Sequence, residues 1–311
     1  MASPAQTSPT PAYRPALAVT AACGTVWVFV LVVLGAFTTS IGAGMAFPDW
    51  PLSNGSLNPK GWLTNEAMFS EHAHRLSAGV MSIVIIVVGA WVWRTDPRRW
   101  MRRLAVFAIG LVLVQAVVGG LRVLLNAQVA AMLHACLAQA VVCTLIAISV
   151  GCSRSWLEQP VAASPGVRRA GIVCCTLLFV QLGIAAVMRH SFAGLAIPTF
   201  PWSTPDGGLL PGAWSFKVAI HFAHRAMAAV LTVALLWFAL RIWRDHGVPA
   251  AMRTGALALV SLLALQLVLG AQIIWTYRDP VVTTGHVLVG ALTLATAFWL
   301  TWVAHRDAIE A

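Results

Sequence analysis

Eight long runs of apolar residues constrain this chain more than any other feature. An α-helix needs roughly 20 mostly apolar residues to cross the hydrocarbon core of a bilayer. Of the 311 residues, 59% are hydrophobic and 10% are charged, whereas a soluble domain carries about 25% charged residues. The sequence therefore predicts an all-α polytopic membrane protein. Its predicted spans are 17–40, 74–93, 103–123, 129–151, 170–188, 218–240, 254–275 and 282–304.

The net charge of +10 could suggest nucleic-acid binding, but the basic residues are distributed in another way. They concentrate in the short connections after the second, fourth and sixth spans, and basic connections of this kind stay in the cytoplasm. This distribution predicts that both termini are cytoplasmic, that loops 41–70 and 189–216 face outward, and that nucleic acid is not a partner. The residues concerned are Arg94, Arg98, Arg99, Arg102, Arg103, Arg154, Arg168, Arg169, Arg241, Arg244 and Arg253.

Neither the N-terminal tail nor the cysteines indicate export or disulfide chemistry. The tail is short and polar with one basic residue, unlike a transit peptide or a signal sequence, so a bacterial plasma membrane is the simplest location. None of the six cysteines lies in a predicted outward loop, and no CxxC or CxxCH motif suggests zinc or covalent haem. We expect the cysteines to be small packing residues.

The chain repeats itself at an offset of about 150 residues. Each copy contains four spans, so both copies have the same orientation in the membrane and form a parallel repeat. The sequence thus predicts two tandem four-helix bundles. The matched residues are Ala73, His74 and Arg75 with Ala223, His224 and Arg225; Gln115 with Gln266; His134 with His286; and Phe47 to Pro51 with Phe200 to Trp202.

The repeat sets the predicted organisation of the chain. A cytoplasmic tail, 1–16, precedes the N-terminal half, 17–152. A cytoplasmic linker, 153–169, leads to the C-terminal half, 170–305, and a short tail, 306–311, follows. The two halves must pack together, so we expect one functional unit.

Four histidines within the predicted spans are the main candidates for chemistry. His74, His134, His224 and His286 occur once on each even-numbered span, near its outward end. A single histidine in a membrane helix is often a hydrogen-bond partner of a neighbouring helix. Four at repeat-related positions favour axial ligation of haem iron, one haem between two helices of each bundle. The predicted pairs are His74 with His134 and His224 with His286.

A carboxylate distinguishes the two halves. Glu71 lies three residues before His74 on the same helical face, and the matching residue of the second half is His221. This asymmetry suggests chemistry at one site and a bound cofactor at the other, with His221 lining the second pocket. The alternative is an exposed carboxylate at a helix N-terminus, which the helix dipole favours.

Other polar residues near the outward face have weaker assignments. Arg75 and Arg225 could bind haem propionates through their guanidinium forks or simply reach to the lipid headgroups. We expect His72 and His190 in loop or helix-end positions. The segment Phe47 to Pro51 could cap the first site from outside.

Together these residues resemble the haem A synthase family along nearly the whole chain. The motifs are short, but their order, spacing and duplication are specific. One departure is the absence of the cysteine pair that many members carry in the first outward loop, where this chain has residues including Phe47 and Ser53. The motifs run from Gly42 to Met45, Phe47 to Pro51, Glu71 to Leu76, Leu133 to Ala138, His221 to Arg225 and Gly285 to Ala291.

The resemblance implies oxidation of the C8 methyl group of haem O to the formyl group of haem A by successive hydroxylations, supporting cytochrome oxidase biogenesis. It implies that His74 and His134 hold haem O, that His224 and His286 hold haem b, and that Glu71 is catalytic. Glu71 could deprotonate an attacking water or stabilise positive charge at the methyl carbon. The sequence does not choose between these roles.

Two other classes of function stay open. One is a dihaem b-type electron carrier or quinol oxidoreductase, which would not need Glu71 in only one half. The other is a non-catalytic haem transfer or assembly factor. The expected partners are haem O, the farnesyltransferase that produces it, membrane lipid, an electron donor or acceptor, and a second copy of the chain. The haem sites are expected toward the extracytoplasmic side.

Overall fold

The computed structural model describes residues 11–311, and this part of the chain is α-helical. Residues 1–10, most of the predicted tail 1–16, lie outside the described residues. Eight helices are long and apolar enough to cross a membrane, which confirms the predicted fold class and number of spans. The helices are α1 (Pro15–Ser40), α2 (Glu66–Thr95), α3 (Arg99–Leu124), α4 (Gln128–Gly151), α5 (Arg154–Glu158), α6 (Pro165–His190), α7 (Phe216–Arg244), α8 (Ala250–Trp275), α9 (Pro280–Ala304) and α10 (Arg306–Glu310).

Helix α2 begins eight residues before the predicted span 74–93. Asn65 caps it by accepting a hydrogen bond from the backbone N–H of Met68 at 3.0 Å, which satisfies one of the free donors of the first turn. Its first two turns include Glu66, Ser70 and Glu71, so hydropathy alone does not include them. The expectation that His72 lies in a loop or at a helix end is wrong, because it is inside α2 and buried. His190 is the last residue of α6, as expected.

The segment between the predicted halves is more ordered than a plain linker. It contains the short helix α5, and α6 starts at Pro165, where Ser164 accepts a hydrogen bond from the N–H of Val167. The predicted tail 306–311 forms α10. Glu310 in that helix accepts hydrogen bonds from Arg98 and Trp156, so α10 is fixed against the connections that precede α3 and α6.

The eight long helices pack as two rings of four. In the first ring α1 contacts α2, α2 contacts α3, α3 contacts α4, and α4 returns to α1; α6 to α9 make the same pairings. The rings meet where α1 contacts α9, α4 contacts α6 and α4 contacts α9. If each helix is replaced by its counterpart in the other ring, the same three contacts result. This is the arrangement that the predicted parallel repeat requires, while the duplication itself stays a prediction.

The apolar cores and the histidines occupy different ends of the bundles. One core contains Met101, Val142 and Ile148, and the other contains Phe238 and Met252, all at most 1% exposed. These residues lie toward the end that carries the basic connections. The opposite end, here called the loop face, carries the long connections 41–65 and 191–215 and the four candidate histidines.

Large apolar side chains on the outside of the rings point away from the protein. Val26, Ile83 and Val233 are 68%, 63% and 70% exposed. A soluble monomer rarely exposes apolar surface that is continuous around its circumference. The outer surface therefore fits a hydrocarbon solvent, and packing between helices rather than hydrophobic burial holds the bundle together.

Candidate functional site

The four candidate histidines lie about two turns from the loop-face ends of α2, α4, α7 and α9. His74 and His134 belong to the first ring, and His224 and His286 belong to the second. All four are partly buried. The structure thus places each predicted pair within one bundle and brings the rings of His224 and His286 close together, while the assignment of ligands stays a prediction.

The second pair has a geometry that fits one metal ion between two rings. The ring centroids of His224 and His286 are 6.5 Å apart, with an angle of 58° between the ring planes. Two imidazole nitrogens on opposite sides of a metal ion are roughly 4 Å apart, since each metal–nitrogen bond is about 2 Å, and each centroid lies roughly 1 Å beyond its nitrogen. The buried Nδ1 of His286 also has no hydrogen-bond partner among the described residues. These residues fit an axially ligated haem iron.

The first pair sits against helix backbone. The Cε1 atom of His74 lies 2.9 Å from where a Cβ of Gly35 would be, and that of His134 lies 2.8 Å from a Cβ of Gly119. Glycine is required at both positions because any side chain would displace the ring. His134 donates its Nδ1–H to the carbonyl of Gln115 at 3.2 Å, which leaves Nε2 for a ligand.

Glutamine side chains accompany three of the four histidines. The amide of Gln115 donates to the carbonyl of His134 at 3.0 Å, and the amide of Gln266 lies 3.2 Å from Nε2 of His286. Gln181 on α6 approaches both the carbonyl and Nδ1 of His224, at 3.0 and 3.1 Å. The sequence matched Gln115 with Gln266 as markers of the repeat but gave no sign that they contact histidines, and it missed Gln181.

Glu71 is a buried carboxylate in a defined set of contacts. It is 4% exposed, which excludes the alternative of a solvated helix-terminal acid. Its Oε2 accepts the backbone N–H of Phe47 at 3.2 Å, and its Oε1 forms an ion pair with Arg75 at 2.5 Å. Glu71 thus connects α2 to the first long loop while lying one turn from His74.

His221 takes the same place in the second half. Its Nδ1 faces the backbone N–H of Ile197 at 3.2 Å, and its Nε2 faces Nε of Arg225 at 3.3 Å. A carboxylate accepts both hydrogen bonds at once, whereas a neutral imidazole has only one acceptor nitrogen. The loop of the second half is therefore held by weaker contacts at this point.

Arg75 and Arg225 hold the loops. Nη1 of Arg75 donates to the carbonyls of Asp49 and Leu52 at 2.7 and 2.6 Å, and its Nη2 donates to the carbonyl of Phe47. Arg225 donates to the carbonyls of Ile197, Thr199 and Trp202. The prediction that these two arginines contact propionates stays a prediction, but in this structure their donors are directed at loop carbonyls.

The segment Phe47 to Pro51 covers the first bundle. The side chain of Phe47 is fully buried, and the indole of Trp50 lies against Gly120 of α3, where a Cβ would come within 2.7 Å of it. Asp49 accepts the N–H groups of Asn54 and Gly55 at 2.7 Å each. Partial burial works against its charge, but these N–H groups hold the pKa of Asp49 below its ordinary value.

Basic residues form a second polar group at the loop face. Arg122 of α3 lies directly against Gly44, and Arg189 of α6 donates to the carbonyl of Ala36 and the hydroxyl of Ser40 on α1, both at 2.9 Å. No role was predicted for these two residues from the sequence, because an arginine at a helix end is typical of any membrane protein. Their contacts in the folded protein are what distinguish Arg122 and Arg189 from other arginines at helix ends.

Comparison with known proteins gives a family match along most of the chain. The model of the COX15-CtaA family, described as cytochrome oxidase assembly protein, matches residues 18–298. Similar proteins include the "Heme A synthase" of Listeria welshimeri, 27% identical over 287 residues that cover 89% of this chain and 92% of the relative. Those of Bacillus licheniformis and Bacillus pumilus are 26% and 25% identical, covering 82% and 81% of this chain and 85% and 83% of the relatives.

Proposed function

Because the chain belongs to the COX15-CtaA family of cytochrome oxidase assembly proteins, we propose that it is a membrane enzyme that oxidises the C8 methyl group of haem O to the formyl group of haem A. The observation that carries this proposal is that two similar sites differ in one polar side chain. Each bundle contains a histidine pair, but among the described residues only the first pair has a buried carboxylate, Glu71, one turn from a candidate ligand. A carrier with two equivalent haems would not need this difference.

His224 and His286 are the proposed ligands of a resident haem b. The 6.5 Å separation of their rings supports this assignment, as does the unpartnered Nδ1 of His286. When bound there, haem b supplies one-electron transfer, and the protein contributes position and electrostatics. Gln181 and Gln266 hold the imidazoles in orientation through contacts at the ring nitrogens.

His74 and His134 are the proposed ligands of the substrate iron. Gly35 and Gly119 allow both imidazoles to lie against neighbouring helices, so the rings have little room to rotate. Conversion of a methyl group to a formyl group takes up one water and releases four electrons and four protons. The reaction therefore needs an acceptor of electrons and a group that handles protons beside the first site.

Glu71 is the proposed catalytic group. Arg75 and the N–H of Phe47 hold its two oxygens in a buried position, and a carboxylate there can accept a proton from water or stabilise positive charge on the substrate. Burial excludes bulk water, which strengthens either effect. The Phe47 to Pro51 segment closes the loop-face side of this site.

The cellular setting follows from the charge distribution of the loops. We propose a bacterial plasma membrane with both termini in the cytoplasm and the loop face on the extracytoplasmic side. The proposed partners are haem O, the farnesyltransferase that makes it, and an electron donor or acceptor. A second copy of the chain is a further proposed partner.

The test is to co-express the protein with a source of haem O and to identify the haems extracted from purified protein by mass. We expect haem b together with haem O or haem A, and haem A formation that depends on this chain. Haem b alone would favour a dihaem electron carrier. A labile haem without any product would favour a transfer or assembly factor.

A further inference from the structure

Arg122 is a cation that the proposed chemistry has not used. It lies at the loop-face end of α3, two residues after Gly120, which contacts Trp50. Among the described residues its guanidinium has no ion-pair partner and donates no side-chain hydrogen bond. An arginine has five N–H donors in a fixed fork, so the guanidinium of Arg122 has donors available for a ligand.

The surroundings of Arg122 belong to the first site. Its charge interacts with those of Glu71 and Arg75 and with the imidazoles of His74 and His134. The carboxylate of Glu71 forms its ion pair with Arg75 and not with Arg122. Arg122 therefore brings to the site of the proposed substrate ligands a positive charge that takes part in no ion pair among the described residues.

Two further arginines extend this positive region toward the second half. Arg122 and Arg278 both interact electrostatically with Arg189, whose donors are directed at α1. Asp279, next to Arg278, caps α9 by accepting the N–H groups of Val281 and Val282. No salt bridge in the part of the chain that the structure describes includes any of the three arginines. A region of this kind attracts anions.

The loop is shaped around the guanidinium of Arg122. A Cβ at Gly44 would overlap Nη2 of Arg122, and the three atoms nearest to that position all belong to the guanidinium of Arg122. Gly44 does not have the positive φ that would itself require glycine. The absence of a side chain at Gly44 thus serves to make room for Arg122.

The two halves differ at this position. Gln115 and Gly119 match Gln266 and Gly270 at an offset of 151 residues, and the same offset matches Arg122 with Ile273. Arg122 is thus specific to the half that carries Glu71. Arg75 and Arg225, the arginines that the sequence suggested as propionate partners, donate instead to loop carbonyls.

We propose that Arg122 binds a propionate carboxylate of the substrate porphyrin and so fixes the rotation of the ring between His74 and His134. Axial ligands hold the iron but leave the ring free to turn about the line that joins them. A charged contact at one edge removes that freedom and decides which methyl group lies beside Glu71. This inference rests on the proposed function, and it assigns the group that selects the reacting position.

The experiment measures binding of a second porphyrin to protein that already carries haem b. The probes are iron protoporphyrin IX and its dimethyl ester, which lacks the two negative charges, and the signal is the absorbance of the histidine-ligated porphyrin. Wild-type protein should prefer the acid to the ester. Arg122→Gln should reduce this preference roughly 10- to 100-fold, the range for a hydrogen bond between charged groups. Lys60→Gln, which removes an exposed charge from the same loop face, should leave it unchanged.

A second variant tests the contact without removing the charge. Gly44→Ala should displace the guanidinium and reduce the preference in the same direction, and it should add little to Arg122→Gln in the double variant. An unchanged preference in Arg122→Gln, as expected if the arginine binds a lipid headgroup, would overturn the proposal while leaving the proposed function in place. Absence of a His74-dependent second binding event in wild-type protein would overturn both.

Discussion

The two halves of the molecule use the same plan to hold a loop over a histidine pair, but with different chemistry at one position. In the first half, Glu71 accepts a loop N–H and a guanidinium at the same time. In the second half, His221 faces the equivalent pair of donors and can accept only one of them when neutral. The comparison shows that a structural anchor and a candidate catalytic group can be the same residue, and that replacing it leaves the fold intact.

The largest expected effects concern the histidines themselves. His224→Ala or His286→Ala should abolish bound haem b, because each removes one of the two axial ligands. His74→Ala or His134→Ala should leave haem b in place and stop haem A formation. Absorbance spectra and extracted pigments of purified variants measure both outcomes. If His224→Ala or His286→Ala retained full haem b with an unchanged spectrum, the ligand assignment would be wrong. Loss of haem b from the first-half variants alone would reverse the assignment of the two halves.

The next effect concerns Glu71. Glu71→Gln should lower haem A formation about 100- to 10,000-fold, the usual loss for a missing general base, while both porphyrins still bind. Partly oxidised haem at the alcohol level should accumulate. Product analysis at equal protein and haem b content measures this.

Because Glu71→Gln also breaks the ion pair with Arg75, it needs a matched variant. Arg75→Gln breaks the same pair and leaves the carboxylate in place, whereas Glu66→Gln changes an exposed acid of the same helix. If Glu71 only anchors the loop, Arg75→Gln should cost at least as much activity as Glu71→Gln, because Arg75 also donates to three loop carbonyls. A much larger loss in Glu71→Gln identifies catalysis.

A smaller effect is expected when His221, which holds the loop of the second half, is replaced by the glutamate that holds the loop of the first half. His221→Glu would give the second half a carboxylate that accepts both donors at once, so the loop there should be held more firmly by about 1 kcal/mol. Hydrogen exchange at the backbone amide of Ile197 measures this, and haem b content should not change. Exchange that is as fast as in the wild type would mean that the difference between the anchors has no energetic consequence.

The smallest effect concerns Asp49 and pH. N–H groups of the loop hold the pKa of Asp49 below the ordinary value of 3.8. The carboxylate therefore stabilises the loop fully above that value, and this stabilisation is lost as the pH falls below it. Amide exchange at Asn54 and Gly55 should therefore accelerate, relative to other loop amides, only in strongly acidic solution. Asp49→Asn should remove this pH dependence, and its persistence in that variant would assign it to another group.

The sequence alone predicted the eight helices because each is a long apolar run, and such runs need no tertiary information. It placed the start of α2 too late because Glu66, Ser70 and Glu71 are polar, and their helical state depends on the Asn65 cap and on burial under the loop. The histidine pairs were predictable from the repeat. Residues that act through packing, such as Gln181 and Arg122, were not, because their types and positions are common at any helix end.

The contact between Arg189 and the end of α1 has a consequence for electron transfer. Ser40 accepts a hydrogen bond from Arg189 and lies 3.4 Å from the hydroxyl of Thr284, so helices of both rings meet at one hydroxyl group. The two rings are thereby joined at the loop-face end of α1. In the proposed function, this joint should keep the separation between the two iron sites constant during turnover, so that the rate of electron transfer between them depends on a fixed distance.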